Sequence, residues 1–400
     1  MSRVLVVNCG SSSLKYQLVD TRAGQRLVTG LVERIGESVG RIEHVRPGAD
    51  PVEARERFAD HNAALRVVLD LFDRHGPSLV GLSGVGHRVV HGGSRFRTAT
   101  LVDDVVEAAI AELVPLAPLH NPANLVGIRV LRRLLSHAPH VAVFDTAFHT
   151  TMPQVAATYA IPTEVAARHG IRRYGFHGTS HQYVTRRAAA LLARPVEDVN
   201  LVIAHIGNGA SVTAVAGGCS VDTSMGMSPM EGLVMGTRCG DIDPGVVLLL
   251  ARDSGLDTAG LDDLLNRRSG LMGMCGRSDV RSVRELALAG DPAARLALDV
   301  YAYRLRKYVG AYLAVLPGAH ALVFTAGVGE NDAALRAEVC DPLGHLGLRL
   351  DHAANAAASR DTGERRIDDG SGSIQVLVVP TDEEAEIAAQ TAALAAGQPR

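Results

Sequence analysis

The chain has 400 residues, 47% hydrophobic and 21% charged, with a formal net charge of −3. That length exceeds one ordinary core and points to two domains. The charge gives no general attraction to nucleic acid or an anionic membrane, no basic patch with interleaved aromatics occurs, and no apolar run approaches the roughly 20 residues that span a bilayer.

Cys9, Cys219, Cys239, Cys275 and Cys340 are scattered and form no C-x-x-C pair, which fits a reducing cytoplasm and argues against disulfides or structural zinc. The 16 histidines include no H-E-x-x-H spacing. No charged segment followed by a long apolar one opens the chain, so no secretory signal is expected. The basic residues are arginines apart from Lys15 and Lys307.

In chain order, apolar runs predict strands at 3–7, 14–19, 84–90, 141–144, 201–206, 211–215, 321–325 and 374–379. Helical periodicity falls near 61–75, 103–113, 122–137, 180–193, 245–254, 293–315, 332–339 and 383–396. The alternation indicates an α/β protein.

The first strand runs into "NCGSSSLK", a Gly/Ser turn before Lys15, and then returns to an alternating strand. This is not the nucleotide-binding P-loop, which needs a glycine directly before the lysine and a helix after it. The design recurs about half a chain later. "VLVVNCGSSSLKYQLV" and "LVIAHIGNGASVTAVA" each give strand, polar residue, turn and strand, with Asn8 aligned on His205 and Gly10 on Gly207. Two related domains, each opening with a β-hairpin, would produce this echo, and paired turns could clamp a polyphosphate through their amides and hydroxyls. Two ordinary hairpins with good turn residues are the alternative.

Further along, "GVGHRVVHGG" puts Arg88 at a strand end, as a carboxylate or phosphate ligand or as one half of a surface ion pair. "LAPLHNPAN" holds His120 in a loop, with Asn121-Pro122 starting a helix; packing in the turn is the plainer role for that histidine. Asp145 follows a buried strand in "HVAVFDTAFHTTMP", either facing a ligand crevice or capping a helix. "RRYGFHGTSH" aims His177 from between an aromatic and a glycine, with Thr179 or Ser180 expected to cap the next helix. Residues 221–245 form a long loop whose Met225, Met227, Pro229 and Met230 line a pocket or fill core, with Arg238 bringing charge beside them. "VFTAGVGENDAALR" reads as a strand, a turn with Gly327 and Gly329, and a helix from near Asn331, a geometry that binds anions. In "VLVVPTDEEAEIAAQ", Thr381 and Glu384 fit a capping box, leaving Glu383 free as a candidate magnesium ligand.

Together "N-x-G-S-S-S-x-K", "GHRVVHGG", "LAPLHNP", "FDTAFH", "YGFHGTSH", "HIGNG", "MGTRCGDIDP", "AGVGEN" and "PTDEE" resemble, in this order, the motifs of acetate kinases, from residue 4 to about 390. The resemblance implies an α/β fold of two duplicated ribonuclease-H-like (actin-like ATPase) domains with the active site in the cleft between them. The expected division is 1–148 plus 382–400 for the first domain and 149–381 for the second, nucleotide-binding one.

The resemblance also implies reversible transfer of the ATP γ-phosphoryl group to acetate, giving acetyl phosphate. The cofactor would be Mg2+, with Mn2+ as an alternative. The partners would be the small molecules ATP and acetate, with neither nucleic acid nor membrane, and the chain would form a cytoplasmic homodimer. Carried over by position, Asn8 and Glu383 resemble the metal-side residues. Lys15 and the turn His205, Ile206, Gly207, Asn208 and Gly209 resemble nucleotide-phosphate contacts. Asp279, Val280 and Arg281 of "GRSDVRS", with Gly327, Val328, Gly329, Glu330 and Asn331, resemble the nucleotide pocket. Arg88 and Arg238 match the two active-site arginines, Asp145 the catalytic aspartate and His177 the transition-state histidine. Val90, Leu119, Phe176 and Pro229 match the pocket for the acyl methyl group, and His120 matches another active-site position. The chain departs from the pattern at Ser94, where many members carry glutamate.

Acetate is an anion at neutral pH, so such chemistry needs cations that offset the repulsion between substrates more than it needs a base. The role of Asp145 stays open between proton transfer and the positioning of Arg88 or substrate. A propionate or other short-chain acyl kinase is the nearest alternative; an actin- or chaperone-like ATPase would need neither paired arginines nor an acyl pocket.

Overall fold

The computed structural model describes residues 2–397. The chain divides into two compact units, Met1–Phe148 with Asp382–Arg400, and His149–Thr381. Residue 1 and residues 398–400 of the expected first domain lie outside the described residues.

The first unit is built on strands β1 (Arg3–Cys9), β2 (Ser13–Asp20), β3 (Gln25–Glu33), β4 (Gly40–Val45), β5 (Val52–Glu56), β6 (Gly84–Val89), β7 (Thr100–Leu101) and β8 (His140–Phe144). They form one sheet in the order β5-β4-β3-β2-β1-β6-β8-β7. Strands β1 to β5 pair antiparallel, whereas β1, β6 and β8 run parallel. The parallel strands need crossovers, which put helices on both faces and make these strands apolar on both sides.

Alternation along β1 sorts the two layers. Leu5, Val7 and Cys9 face a core shared with Leu65, Val68 and Phe72 of the helix His61–His75 and with Leu131 of the helix Asn121–Leu134. Val4 and Val6 face the other side, with Val141, Val143 and Ile387 and Ala388 of the helix Glu383–Ala396. That last helix lies close because β6 carries glycines. A Cβ on Gly84 would sit 2.9 Å from Thr391 Cγ2, and one on Gly86 2.7 Å from Ile387 Cγ2.

The second unit has strands β9 (Asn200–Ile206), β10 (Ala210–Ala216), β11 (Cys219–Thr223), β12 (Ala321–Thr325), β13 (Arg365–Arg366) and β14 (Gln375–Val378), in the order β11-β10-β9-β12-β14-β13. Its β9–β10 and β10–β11 pairs are antiparallel, and β9, β12 and β14 run parallel. The run β11-β10-β9-β12-β14 therefore repeats β3-β2-β1-β6-β8, and both units have the ribonuclease-H-like arrangement.

Three local expectations are corrected. Asp382, not Thr381, caps the helix Glu383–Ala396, accepting from Ala385 N at 3.0 Å. Thr179 and Ser180 cap nothing, because the helix Gly178–Leu191 begins at Gly178 and both side chains lie buried in its first turn. The helix after β12 starts at Ala326, immediately after the strand, so Gly327 and Gly329 lie inside it and the next helix begins at Ala333.

Candidate active site

In the first unit Arg88 lies near the end of β6 and Asp145 directly after β8, its parallel neighbour. Arg88 Nε donates to Asp145 Oδ1 at 3.0 Å and Nη2 donates to Oδ2 at 2.7 Å, a bidentate fork on a carboxylate only 1% exposed. Glu383 Oε2 stands 3.9 Å from Arg88 Nε. Burial works against the guanidinium's charge, but Asp145 and Glu383 outweigh it, and Arg88 holds its proton more tightly than a free arginine. The Glu383 carboxyl is pushed up to about 7, by burial above all, with Asp145 and Glu384 adding to the effect of burial and Arg88 and Lys15 opposing it.

The loop after β6 is clamped by side chains that sequence reasoning passed over. Asn124 accepts from Val90 N at 3.1 Å and donates to Cys9 O at 2.7 Å; Asn121 accepts from His91 N at 3.1 Å and donates to His91 O at 3.0 Å; Thr146 Oγ1 accepts from Gly92 N at 3.0 Å. Asn121 and Asn124 are spaced to share one face of their helix, and that spacing in "HNPAN" was the available signal. His120 precedes this helix at its N-cap position without capping it. Val90 is buried in the clamped loop, and Leu119 is exposed. On the neighbouring hairpin, Asn8 pairs in register with Lys15, whose strand position is exposed.

In the second unit His177 takes a left-handed backbone, φ 56°, between the buried Phe176 and Gly178. That conformation costs a non-glycine residue about 1 kcal/mol. Its ring stacks on His205 with centroids 4.2 Å apart. The turn 207–209 between β9 and β10 brings Gly209 beside it: a Cβ there would sit 2.7 Å from Arg238 Nη2 and 3.4 Å from His177 Nε2. Only glycine keeps open the place on which guanidinium and imidazole converge. Arg238 Nη1 donates to Pro229 O at 2.5 Å, so the loop proline is fixed to the arginine. Burial lowers the guanidinium's proton affinity, and among the described residues no carboxylate forms an ion pair with it.

A buried network backs this group. Ser180 Oγ lies 2.7 Å from His205 Nδ1 and 2.8 Å from Thr381 Oγ1, and Ser211 Oγ lies within 3.0 Å of both His177 Nδ1 and His181 Nε2. His149 lies 2.9 Å from both Ser220 Oγ and the Phe176 carbonyl, and burial pushes its imidazole down to about 4. None of Ser180, His181, Ser211 and His149 stood among the expected site residues. Ser211 could have been found by alternation, since it pairs in register with His205.

The remaining expected residues are placed as follows. The Asp279 carboxylate caps the helix Val280–Leu288 through Ser282 N, Val280 is buried and Arg281 exposed. Glu330 is fully buried; Oε1 accepts from Ala326 N at 2.7 Å and Thr381 N at 2.9 Å, and Oε2 pairs with Arg360 at 2.9 Å. Asn331 Nδ2 donates to Gly327 O at 2.8 Å. Asn208 O accepts from Gly236 N at 3.2 Å, which ties the turn 207–209 to the long loop.

A sequence profile described as the Acetokinase family matches residues 3–389. A protein named acetate kinase from Leifsonia xyli subsp. xyli is 56% identical, covering 99% of this chain and 100% of that one. The crystal structure of Porphyromonas gingivalis acetate kinase superposes with a TM-score of 0.92 at 42% identity, covering 98% of this chain and 99% of that one. The crystal structure of a propionate kinase from Francisella tularensis does so with a TM-score of 0.92 at 40% identity and the same coverage. A profile match over nearly the whole length, joined to full-length relatives at this identity, settles the family: the chain belongs to the acetokinase family.

Proposed function

We propose that the chain transfers the γ-phosphoryl group of ATP to acetate, reversibly, giving acetyl phosphate and ADP. Family membership makes it a phosphotransferase with a carboxyl group as acceptor. The observation that carries the finer reading is the convergence of Arg238 Nη2 and His177 Nε2 on the space that Gly209 leaves open. Two nitrogen donors meeting at one glycine suit the equatorial oxygens of a phosphoryl group in transfer.

In this reading an acetate oxygen attacks the γ-phosphorus in line as the bond to the β–γ bridging oxygen breaks, and no phosphoenzyme forms. The acceptor arrives ionised, so no base is required. Arg88, held by Asp145, takes the acetate carboxylate, and Asp145 acts by positioning that arginine. Lys15 and the turn His205–Gly209 hold nucleotide phosphates; Asp279 to Arg281 and Gly327 to Asn331 hold the nucleoside side. The Asp279 and Glu330 carboxylates are committed to intrachain bonds, so their parts fall to backbone and shape. Val90, Leu119, His120, Phe176 and Pro229 are assigned to contacts with the acyl group.

Asn8 and Glu383 would hold Mg2+ or Mn2+. The fit rests on the donor set, since a carboxylate and an amide carbonyl are the hard oxygen ligands these ions take, and Glu383 lies among other carboxylates whose charge a cation would offset. Bound there, the ion supplies charge neutralisation at the phosphates.

We further infer a cytoplasmic homodimer whose product can feed acetyl-CoA formation. The cysteines are unpaired, and among the described residues no helix is long and apolar enough to cross a membrane. The helix Pro244–Asp253 buries none of its residues, with Leu248 70% and Leu249 47% exposed, which supports a second copy covering it. Light scattering on the purified protein should give twice the chain mass.

The direct test incubates the protein with MgATP, hydroxylamine and acetate, propionate or butyrate and measures hydroxamate. Acetate should give the highest kcat/KM. The likeness to a propionate kinase makes the propionate arm informative, because one methylene shifts preference by only about 1–3 kcal/mol. ADP release without hydroxamate would defeat the proposal.

A further inference from the structure

We propose that Ser211 and His181 are positioning residues that fix the tautomer of His177, so that a neutral imidazole presents Nε2–H toward Arg238 and Gly209. The proposal rests on the preceding reading of His177 as a donor to the transferring group.

Ser211 Oγ lies 3.0 Å from His177 Nδ1 and 2.9 Å from His181 Nε2. A hydroxyl has one proton and two lone pairs, so it donates to at most one of these rings. Ser211 is fully buried and among the described residues its Oγ has no other hydrogen-bond partner, so its proton is satisfied only when it points at one ring while the oxygen accepts from the other. Which way it points is decided at the far end. His181 is fully buried, and among the described residues its Nδ1 has no hydrogen-bond partner. An orphaned buried N–H is rarer in folded proteins than an acceptor left short of a donor. The single proton of a neutral His181 therefore sits on Nε2 and donates to Ser211 Oγ. The Ser211 hydroxyl must then donate to His177 Nδ1. A neutral His177 with Nδ1 accepting carries its proton on Nε2, the atom beside the space over Gly209.

The surroundings hold the chain of bonds neutral. Burial keeps His181 well below the ordinary imidazole range, with His149 and His205 adding to the effect. His149 packs edge-on against it at 5.6 Å. An imidazolium at His177 would have Nδ1–H donating to Ser211, which would turn the hydroxyl onto His181 Nε2 and force an unpaired proton onto the buried His181 Nδ1. The network thus disfavours that state and delivers a donor at Nε2 without a net charge on the ring.

Long-range 1H–15N correlation spectra of the full chain labelled with 15N-histidine read this directly, with His177→Gln and His181→Gln used for assignment. In the wild type His177 and His181 should each show a bare Nδ1 and a protonated Nε2. In Ser211→Ala, His177 should become a mixture of tautomers, and kcat should fall roughly tenfold with KM for ATP and acetate unchanged. Ser211→Thr, which keeps the hydroxyl, should restore the wild-type spectrum and most of kcat. A protonated Nδ1 on either ring of the wild type overturns the proposal. So does a Ser211→Ala protein that loses kcat with the His177 tautomer unchanged, or that changes neither. Should Ser211→Ala fail to fold, the wild-type spectrum still decides. A protein with the expected tautomers but no hydroxamate activity would leave the network standing and remove the acetate reading instead.

Discussion

In the first unit the residue across the hairpin from Asn8 is Lys15, at an exposed strand position; in the second, the residue across from His205 is Ser211, which is fully buried. Both turns are closed by a bond from their first glycine, Gly10 N to Ser13 O at 2.8 Å and Gly207 N to Gly209 O at 3.1 Å. The scaffold is shared and the use is not. The first hairpin holds out a flexible ammonium, strongly hydrated and cheap to move. The second is wired into a set of imidazoles and hydroxyls, and the cation beside it comes from the long loop that carries Arg238. The arginines differ in the same sense: Arg88 is gripped by a buried carboxylate, whereas Arg238 is held by the Pro229 carbonyl.

That contrast can be broken most forcefully at the arginines. Arg88→Ala and Arg238→Ala should each lower kcat/KM about 10³-fold, some 4 kcal/mol of barrier. They should part company in thermal unfolding. Removing Arg88 leaves the buried Asp145 charge unpaired and should cost about 3 kcal/mol of stability, while removing Arg238 strands no charge and should leave Tm nearly unchanged. Equal Tm values for the two variants would erase the distinction drawn between the sites.

The next effect is at the turn. Gly209→Ala puts a methyl group 2.7 Å from Arg238 Nη2, so the guanidinium must swing aside, and kcat should fall about 10²-fold in a folded protein. Lys15→Ala acts on the looser hairpin and should raise KM for ATP roughly tenfold with Tm unchanged, the loss of one charge-assisted contact. A larger effect of Lys15→Ala on kcat than on KM would place the lysine with the tightly held groups.

The smallest predicted effect compares buried histidines. His140, 2.9 Å from His87, and His149 are both pushed down to about 4 by burial. Between that value and the ordinary 6.5 the unfolded chain binds more protons than the folded one. Stability should therefore be complete above 6.5 and drain away as pH falls toward 4. Scanning Tm against pH should show this slope, and His140→Gln should shallow it by the share of one titrating group.

Much of the fold was legible because the central strands are apolar on both faces. The runs at 3–7, 201–206 and 321–325 became β1, β9 and β12, and the periodic segment 61–75 became the helix His61–His75, capped by Asp60 through Ala63 N. The strands β4 and β5 were missed because charge fills one face of each, as in "VEARE", and β3 because paired apolar residues around Thr29-Gly30 break its alternation. The short helices Thr163–His169 and Gly270–Cys275 present too few turns for a period to be read. Among the candidate site residues, those with an unusual local setting announced themselves: Lys15 in a chain of arginines, His177 between Phe176 and Gly178. Asn121, Asn124, Ser211 and His181 did not. Their work is to hold other residues through contacts distant in sequence, and the local pattern gave at most a faint sign of it, the spacing in "HNPAN" for the two asparagines and the hairpin register for Ser211.

The glycines of β6 carry a consequence for how the molecule comes into being. They make the trench in which Ile387 and Thr391 lie, so the wall over Val4, Val6, Val141 and Val143 is supplied by a helix that follows the whole second unit in sequence. During synthesis the first sheet waits with one side bare while the whole second unit is made and can fold. The sheet whose strands are made earlier can therefore complete its core only after the nested unit has been made.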